Sequence, residues 1–235
     1  MATISIIVPA AGCGARAGFS SNKILEPLLG RPLLSWTLGA LVSAPWKAIG
    51  LELSELILVA RAEEFPLVEA ARTGPAQKIP LAMIEGGATR QQSVWNGVQA
   101  ARGEFVLVHD AARPCVTGDI VSRTVLAARE HGAALAALQS SDTVKRSRPY
   151  EGALVGETLP RQEIWLAQTP QVFKRRILLD AMAAAIRDDW EGTDCASVVE
   201  RVGGEVALVE GSHENLKVTY ARDMDRAAEI LAKRV

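Results

Sequence analysis

The chain opens with TISIIV at residues 3–8, and PAAGCGARAG follows at residues 9–18. A short β-branched run of this kind is typical of a strand buried on both faces of a sheet. The small residues after it leave backbone N–H groups open to close approach by phosphates or a base. Glycines after a strand are also typical of an ordinary tight turn into a helix, so this pattern alone leaves both interpretations open.

Apolar runs of the same kind recur along the chain, with helical patterns between them. The runs predicted as strands are residues 55–60, 79–84, 104–108, 133–138 and 205–209. The helical patterns cover residues 32–42, 89–101, 117–129, 174–186, 193–201 and 221–233. This alternation predicts an α/β fold with a Rossmann-like, doubly wound, mainly parallel sheet, which binds ligands at the carboxyl ends of its strands.

Residues 139–168 break the alternation because they are polar and rich in turn residues. We predict that they form a β-arm projecting from the sheet, and a solvated loop is the alternative. With 235 residues, the chain is predicted to be a single domain, 1–235, that carries this arm.

Composition excludes several classes of protein. A net charge of -1 is too low for a general binder of nucleic acids or membrane surfaces, both of which attract basic proteins. No apolar run approaches the roughly 20 residues of a membrane span, and we expect no signal peptide. Cys13, Cys115 and Cys195 are widely spaced, which predicts neither a disulfide framework nor a zinc site and favours a cytoplasmic protein.

The glycine-rich loop differs from two common nucleotide-binding motifs. It lacks the GK[ST] of a Walker loop, and Gly12, Gly14 and Gly18 give G-x-G-x-x-x-G, which is not the dinucleotide pattern G-x-G-x-x-G. The loop instead carries Arg16, and Lys23 follows it. Two cations beside a phosphate cradle suit a reaction in which negative charge builds on a pyrophosphate leaving group.

A second motif, EGGATRQQSV at residues 85–94, follows a predicted strand and opens a helix capped by Thr89. Gly87 and the Ser93 hydroxyl could read the edge of a base there, and Arg90 could meet a phosphate at the positive end of the helix. The alternative is a Gly-Gly turn beside a solvated arginine.

A third motif, VHDAARP at residues 108–114, ends another apolar strand. Asp110 is placed there to bond a ribose hydroxyl or to support Mg²⁺, and Arg113 to clamp a phosphate. A structural pair between Asp110 and Arg113 is the alternative. We predict that His109 is a packing residue, because a single histidine without a metal-spaced partner is weak evidence for chemistry.

Together these motifs resemble nucleotidyltransferases that act on sugar phosphates, and in particular the 2-C-methyl-D-erythritol 4-phosphate cytidylyltransferase family. Residues 23–33 match the wider group of sugar-phosphate nucleotidyltransferases. The stretches that match the family keep its order along nearly the whole chain, at residues 9–12, 86–94, 109–114, 142–145, 161–173, 193–194 and 215–219. HDAARP and TPQVF are the most specific of them. The chain departs from the family at Asn22, where proline usually precedes the lysine, and at Ala88, where an acid is frequent.

The resemblance implies transfer of CMP from CTP to methylerythritol phosphate, with release of pyrophosphate, in non-mevalonate isoprenoid biosynthesis. The nucleophile would be an ionised phosphate oxygen, so that no general base is needed. Mg²⁺, or another divalent cation, would bind chiefly through the triphosphate with minor support from Asp110. The partners would be CTP, a phosphorylated polyol and a second copy of the chain, because the resemblance implies a homodimer with crossed arms.

The same resemblance assigns the site residues to three sets. The residues expected at the nucleotide are Ala10, Ala11, Gly12, Gly14, Gly87, Arg90, Ser93, Asp110 and Ala111. The residues expected to be catalytic are Arg16, Lys23, Arg161 and Lys217. The residues expected at the acceptor are Arg113, Thr143, Arg161, Thr169, Thr193 and Lys217.

Two other functions stay open. A cytidylyltransferase for another polyol phosphate, such as ribitol 5-phosphate, would share the loop and the Asp-Ala-x-Arg-Pro block, although the contexts of Thr143, Arg161 and Lys217 favour methylerythritol phosphate. An NAD(P)-binding protein similar to short-chain dehydrogenases should have a Tyr-x-x-x-Lys pair, and neither Tyr150 nor Tyr220 has a lysine four residues on.

Overall fold

The structure, a computed structural model, describes residues 1–12, 22–148 and 154–234. The strands are β1 Ala2–Pro9, β2 Pro27–Leu28, β3 Arg31–Pro32, β4 Leu51–Ala60, β5 Leu81–Glu85, β6 Phe105–Val108, β7 Ala133–Gln139, β8 Val144–Ser147, β9 Val155–Leu159, β10 Trp165–Lys174 and β11 Ala207–Glu210. The helices are α1 Leu33–Val42, α2 Phe65–Ala70, α3 Arg90–Ala100, α4 Gly118–His131, α5 Arg175–Arg187, α6 Cys195–Arg201 and α7 Ala221–Ala232.

Seven strands form the central sheet in the order β11-β7-β10-β6-β1-β4-β5. Neighbouring strands pair in parallel except at β10, which is antiparallel to both β6 and β7. The predicted α/β fold with a mainly parallel, doubly wound sheet is therefore confirmed.

The sheet is covered on both faces, which explains the continuous apolar runs in the sequence. In β1, Ile6 and Val8 belong to one buried cluster together with Leu34 of α1. The intervening Ile7 belongs to the buried cluster on the other face, together with Val98 of α3. Alternate residues of β1 therefore point into two different hydrophobic cores. This is why the strand lacks the alternation of polar and apolar residues that is typical of a strand with one exposed face.

The prediction that all of residues 139–168 leave the sheet was wrong at both ends. Gln139 closes β7, and residues 165–167 pair with it and the two residues before it as the first part of β10. The sequence concealed this strand because two of its polar side chains, Gln168 and Gln171, are buried and bonded rather than exposed. Pro170 adds a break that is untypical of a central strand.

Between these ends the predicted β-arm is confirmed in a shorter form. Strands β8 and β9 form a separate antiparallel hairpin, with Val144 opposite Leu159. Arg146 and Glu157 form an ion pair across it at 2.7 Å. Leu154 and Val155, on the side toward the tip, expose more than half of their apolar surface. The described part of the arm thus presents apolar side chains outward.

The other predicted elements are confirmed with small shifts at their ends. The strand predicted at residues 79–84 begins only at Leu81, because Gly74–Lys78 form a 3₁₀ helix before it. Among the helices of the described residues, none is long and apolar enough to cross a membrane.

Candidate active site

A cleft of about 610 Å³ opens beyond the carboxyl ends of β1, β5 and β6. This is the edge where a doubly wound sheet binds ligands. The residues of the predicted site that line it are Ala10, Ala11, Gly12, Lys23, Gly87, Arg90, Ser93, Asp110, Ala111 and Lys217. Two others, Gly14 and Arg16, lie outside the described residues.

One wall of the cleft is built from small residues in close contact. The backbone N–H of Ala10 donates to Val59 at 2.7 Å, and that of Gly86 donates to Ala60 at 2.9 Å, so the segments after β1 and β5 both continue the bonding of β4. A Cβ at Gly86 would lie 2.5 Å from the Cβ of Ala11. The backbone at residue 86 can come this close to Ala11 only because residue 86 is glycine. The wall of the cleft is therefore a narrow surface of backbone and methyl groups.

Ser93 holds the turn that completes this wall. Its hydroxyl donates to the carbonyl of Thr89 at 3.0 Å and accepts from the N–H of Gly87 at 3.1 Å. Thr89 in turn caps α3 by accepting from Gln92 at 3.2 Å. The base-reading role expected of Ser93 stays a prediction, while the geometry gives this hydroxyl a part in fixing Gly87.

Asp110 lies at the centre of the cations around the cleft. Its Oδ2 is 3.0 Å from Nζ of Lys217 and 3.4 Å from Nε of Arg113, and its Oδ1 is 3.3 Å from a terminal nitrogen of Arg90. Burial by itself would raise the pKa of this carboxyl, but the three cations outweigh burial and hold the pKa well below its usual range. Asp110 is therefore ionised at neutral pH and orients two cations, Arg90 and Lys217, toward the cleft.

The same contacts limit how a metal ion could bind. Both carboxylate oxygens of Asp110 already contact cationic side chains. Within the described residues, no group of three or more His, Cys, Asp or Glu side chains could hold a metal ion. The donor set therefore fits a hard cation carried mainly by triphosphate oxygens, with one protein carboxylate nearby.

His109 is buried behind Asp110. Its Nε2 donates to the carbonyl of Arg113 at 3.2 Å, and its Nδ1 accepts from the hydroxyl of Thr169 at 3.1 Å. Because a carbonyl can only accept, we assign the ring proton to Nε2. The Thr169 hydroxyl also accepts from the N–H of Asp110 at 3.1 Å. Burial lowers the pKa of His109 to about 4, so the imidazole is neutral at neutral pH.

This histidine makes stability depend on pH. An unfolded chain binds a proton on it below about pH 6.5, while the folded protein resists protonation down to about pH 4. Stability should therefore decline as pH falls through this window, by a total on the order of 3 kcal/mol from His109. In urea unfolding, the free-energy gap between the wild type and His109→Asn should narrow from pH 6.5 to pH 4, because asparagine does not titrate. A gap of constant size would contradict the assignment.

A network of buried amides, to which sequence reasoning gave no role, joins the acceptor-side segments. Asn215 donates to the side chain of Gln168 at 3.0 Å and to the carbonyl of Thr169 at 2.8 Å. The backbone carbonyl of Asn215 accepts from Arg113 at 2.8 Å. Farther along β10, Gln171 bonds Asp194, the N-cap of α6, at 2.8 Å. Polar residues at three separate motifs could have signalled this network, because buried amides are rarely left unpaired.

The remaining predicted acceptor residues do not line the cleft. Arg113 and Thr169 are buried behind its wall. The exposed residues Thr143 and Arg161 belong to the arm, where Arg161 donates to the carbonyl of Ser141 at 2.9 Å. Thr193 is exposed just before α6. The expected roles of all five residues stay predictions.

The doubly wound sheet carries small residues and several cations at its carboxyl edge, as a nucleotidyltransferase requires. More closely, the chain belongs to the 2-C-methyl-D-erythritol 4-phosphate cytidylyltransferase family, whose model matches residues 4–233. The predicted family is thereby confirmed, and with it the assignment of the chain as a cytidylyltransferase.

Similar proteins agree in sequence and in fold. The chain is 40% identical to the 2-C-methyl-D-erythritol 4-phosphate cytidylyltransferase of Thermosynechococcus vestitus over 97% of this chain and 95% of that protein. It is 35% identical to the crystal structure of the enzyme of the same name from Thermus thermophilus, with a TM-score of 0.75 over 97% and 98% of the two chains. For the 4-diphosphocytidyl-2C-methyl-D-erythritol synthase of Anaerococcus prevotii the identity is 26% and the TM-score 0.83, over 98% and 96%.

Proposed function

We propose that this chain transfers CMP from CTP to 2-C-methyl-D-erythritol 4-phosphate, giving 4-diphosphocytidyl-2-C-methyl-D-erythritol and pyrophosphate, in isoprenoid precursor biosynthesis. The observation that carries the proposal is the cleft, where a wall of small residues lies beside Lys23, Arg90 and Lys217. Such a site can align two polyanions and offset their repulsion, which is the main requirement of phosphoryl-type transfer.

The reaction needs no protein base. An ionised oxygen of the acceptor phosphate attacks the α-phosphorus of CTP, a new P–O bond forms, and the bond to the β-phosphate breaks with its electrons going to pyrophosphate. The described part of the cleft supports this route, because His109, the histidine nearest to Asp110 in the sequence, is buried and neutral. Lys23 and Lys217 supply positive charge where negative charge develops.

We infer a division of labour from the positions of the lining residues. Ala10, Ala11 and the Gly87 turn held by Ser93 contact the cytosine, and Asp110 and Ala111 contact the ribose. A divalent cation such as Mg²⁺ would be held mainly by the triphosphate with Asp110 nearby, and it would supply positive charge close to the leaving group. Lys217 faces the acceptor phosphate.

The arm suggests a homodimer. Thr143 and Arg161 are exposed on it and do not line the cleft of their own chain. Leu154, Val155 and, near the arm's base, Leu166 expose apolar surface that a second copy could cover. In this proposal the single domain, residues 1–235, uses its arm to complete the acceptor site of the partner.

A reducing compartment, the cytoplasm, suits this chain. Cys115 and Cys195 are free and buried, so neither relies on a disulfide.

The proposal predicts specificity for CTP. Cytosine presents an amino donor where uracil has a carbonyl acceptor, and a narrow backbone-lined wall excludes purines. Pyrophosphate release should be measured with four nucleoside triphosphates crossed against methylerythritol phosphate, ribitol 5-phosphate and other phosphorylated polyols. CTP with methylerythritol phosphate should exceed every other pair by at least about 10²-fold in kcat/KM. Equal turnover with UTP or ATP would contradict the nucleotide assignment, and a preference for ribitol 5-phosphate would favour the alternative acceptor.

A further inference from the structure

Asn22, which lines the cleft next to Lys23, makes a buried polar contact there. Asn22 is 2% exposed and precedes the 3₁₀ helix Lys23–Leu25. Its Nδ2 donates to the carbonyl of Ala10 at 3.0 Å and to Oε2 of Glu64 at 2.9 Å. Its Oδ1 accepts from the N–H of Ile24 at 3.4 Å.

Glu64 determines which way this amide points. It is 7% exposed in the turn after β4, and its other carboxylate oxygen is paired with Arg61. A carboxylate and a carbonyl can only accept hydrogen bonds, so the NH₂ group of Asn22 has to face both of them. The amide is thereby fixed by residues from three separate segments of the chain.

The contact joins Ala10, near the start of the glycine-rich loop, to Asn22, which follows the loop. Ala10 follows β1 and lines the small-residue wall, whereas Asn22 lies directly before Lys23. The backbone of Asn22 has φ -65°, the value that a proline ring would impose. The side-chain hydrogen bonds of Asn22 therefore support a backbone angle that elsewhere a proline ring can fix covalently.

We propose that Asn22, oriented by Glu64, is a positioning residue that fixes Lys23 relative to the small-residue wall of the cleft. The inference rests on the proposed function, because the role of Lys23 in stabilising charge is part of that function. Asn22 itself lines the cleft, and its side-chain amide is engaged by Ala10, Glu64 and Ile24. It acts by keeping the Lys23 ammonium group aligned with a nucleotide whose base lies against Ala10.

Steady-state kinetics of Asn22→Ala test the inference first. We expect kcat to fall about tenfold and KM for CTP to change by less than about threefold, because misalignment weakens a contact made mainly in the transition state. Asn96→Ala is the control: its Nδ2 donates to the carbonyl of Glu85 at 3.0 Å, an exposed side-chain-to-backbone bond at the end of β5, and it does not line the cleft. Its kcat should stay within about twofold of wild type.

A double-mutant cycle with Lys23→Ala separates positioning from a general structural role. If Asn22 acts through Lys23, adding Asn22→Ala to Lys23→Ala should cost less than about twofold in kcat. The same tenfold loss in both backgrounds, or an unchanged kcat in Lys23→Ala, would overturn the inference while the proposed function stood. No turnover of CTP by the wild-type protein would instead remove the proposed function.

Glu64→Ala keeps the test decisive if circular dichroism shows that Asn22→Ala does not fold. Removing the orienting carboxylate should lower kcat about threefold in wild type and add almost nothing to Lys23→Ala. An equal threefold loss in both backgrounds would overturn the inference.

Discussion

Replacing Lys23 by alanine should lower kcat about 10²-fold, a loss on the order of 3 kcal/mol, while the dissociation constant of CTP rises by much less. Lys23 lines the cleft beside the small-residue wall, in the segment anchored by Asn22. Its interaction with the nucleotide should strengthen as charge develops on the pyrophosphate, and only interactions that strengthen in the transition state accelerate the chemical step.

Turnover and CTP binding of this variant should be measured separately, by pyrophosphate release and by calorimetry without acceptor. Lys78→Ala is the control, because Lys78 is an exposed lysine outside the cleft and its loss should change neither quantity. A Lys23→Ala protein that turns over like wild type would show that another group offsets the charge on the leaving pyrophosphate. Equal losses in binding and turnover would point to ground-state binding only.

Mixing two impaired proteins, Lys23→Ala and Arg161→Ala, should restore part of the activity if Arg161 acts in the partner's site. In a mixed dimer, one site combines an intact Lys23 with an intact Arg161 from the other chain. Random exchange makes about half of the dimers mixed, each with one restored site, so about a quarter of wild-type activity should return. The position of Arg161 on the exposed arm motivates this expectation.

The control for this experiment mixes Lys23→Ala with Lys217→Ala. Both residues line one cleft of one chain, so no mixed dimer has a complete site and no activity should return. Differently tagged subunits would verify exchange by copurification. Exchange without recovery in the first mixture would place Arg161 in its own subunit's site, and a fully active monomer would remove the homodimer proposal.

The sheet was predictable where burial on both faces leaves a continuous apolar run, as in residues 3–8 and 55–60. Strand β10 was not, because a segment containing Gln168, Pro170 and Gln171 has no apolar period. Its pairing depends on hydrogen bonds to residues far away in the sequence. Long-range polar contacts of this kind leave no local pattern.

In the candidate site too, some features were predictable from local sequence, whereas others depend on contacts between distant residues. The lining residues that follow β1, β5 and β6 were predicted from motifs, because parallel strands bring their carboxyl ends to one edge. The anchoring of Asn22 by Glu64 joins positions separated by 42 residues, and no motif indicated that the two side chains would meet. The pair between Asp110 and Arg113 was one of the two interpretations of its motif and is present, whereas the contacts of Asp110 with Arg90 and Lys217 required the folded structure.

Tracing labelled oxygen from the acceptor phosphate into the products tests most directly which bond forms and which bond breaks. Methylerythritol phosphate carrying ¹⁸O at its non-bridging phosphate oxygens should be incubated with CTP, Mg²⁺ and the protein, and the products analysed by mass spectrometry and ³¹P NMR. If an acceptor oxygen attacks the α-phosphorus, every labelled oxygen stays in the diphosphate product, one of them bridging its two phosphorus atoms, and the pyrophosphate is unlabelled. Label in the pyrophosphate, or release of unlabelled CMP without a diphosphate product, would contradict cytidylyl transfer by this chain.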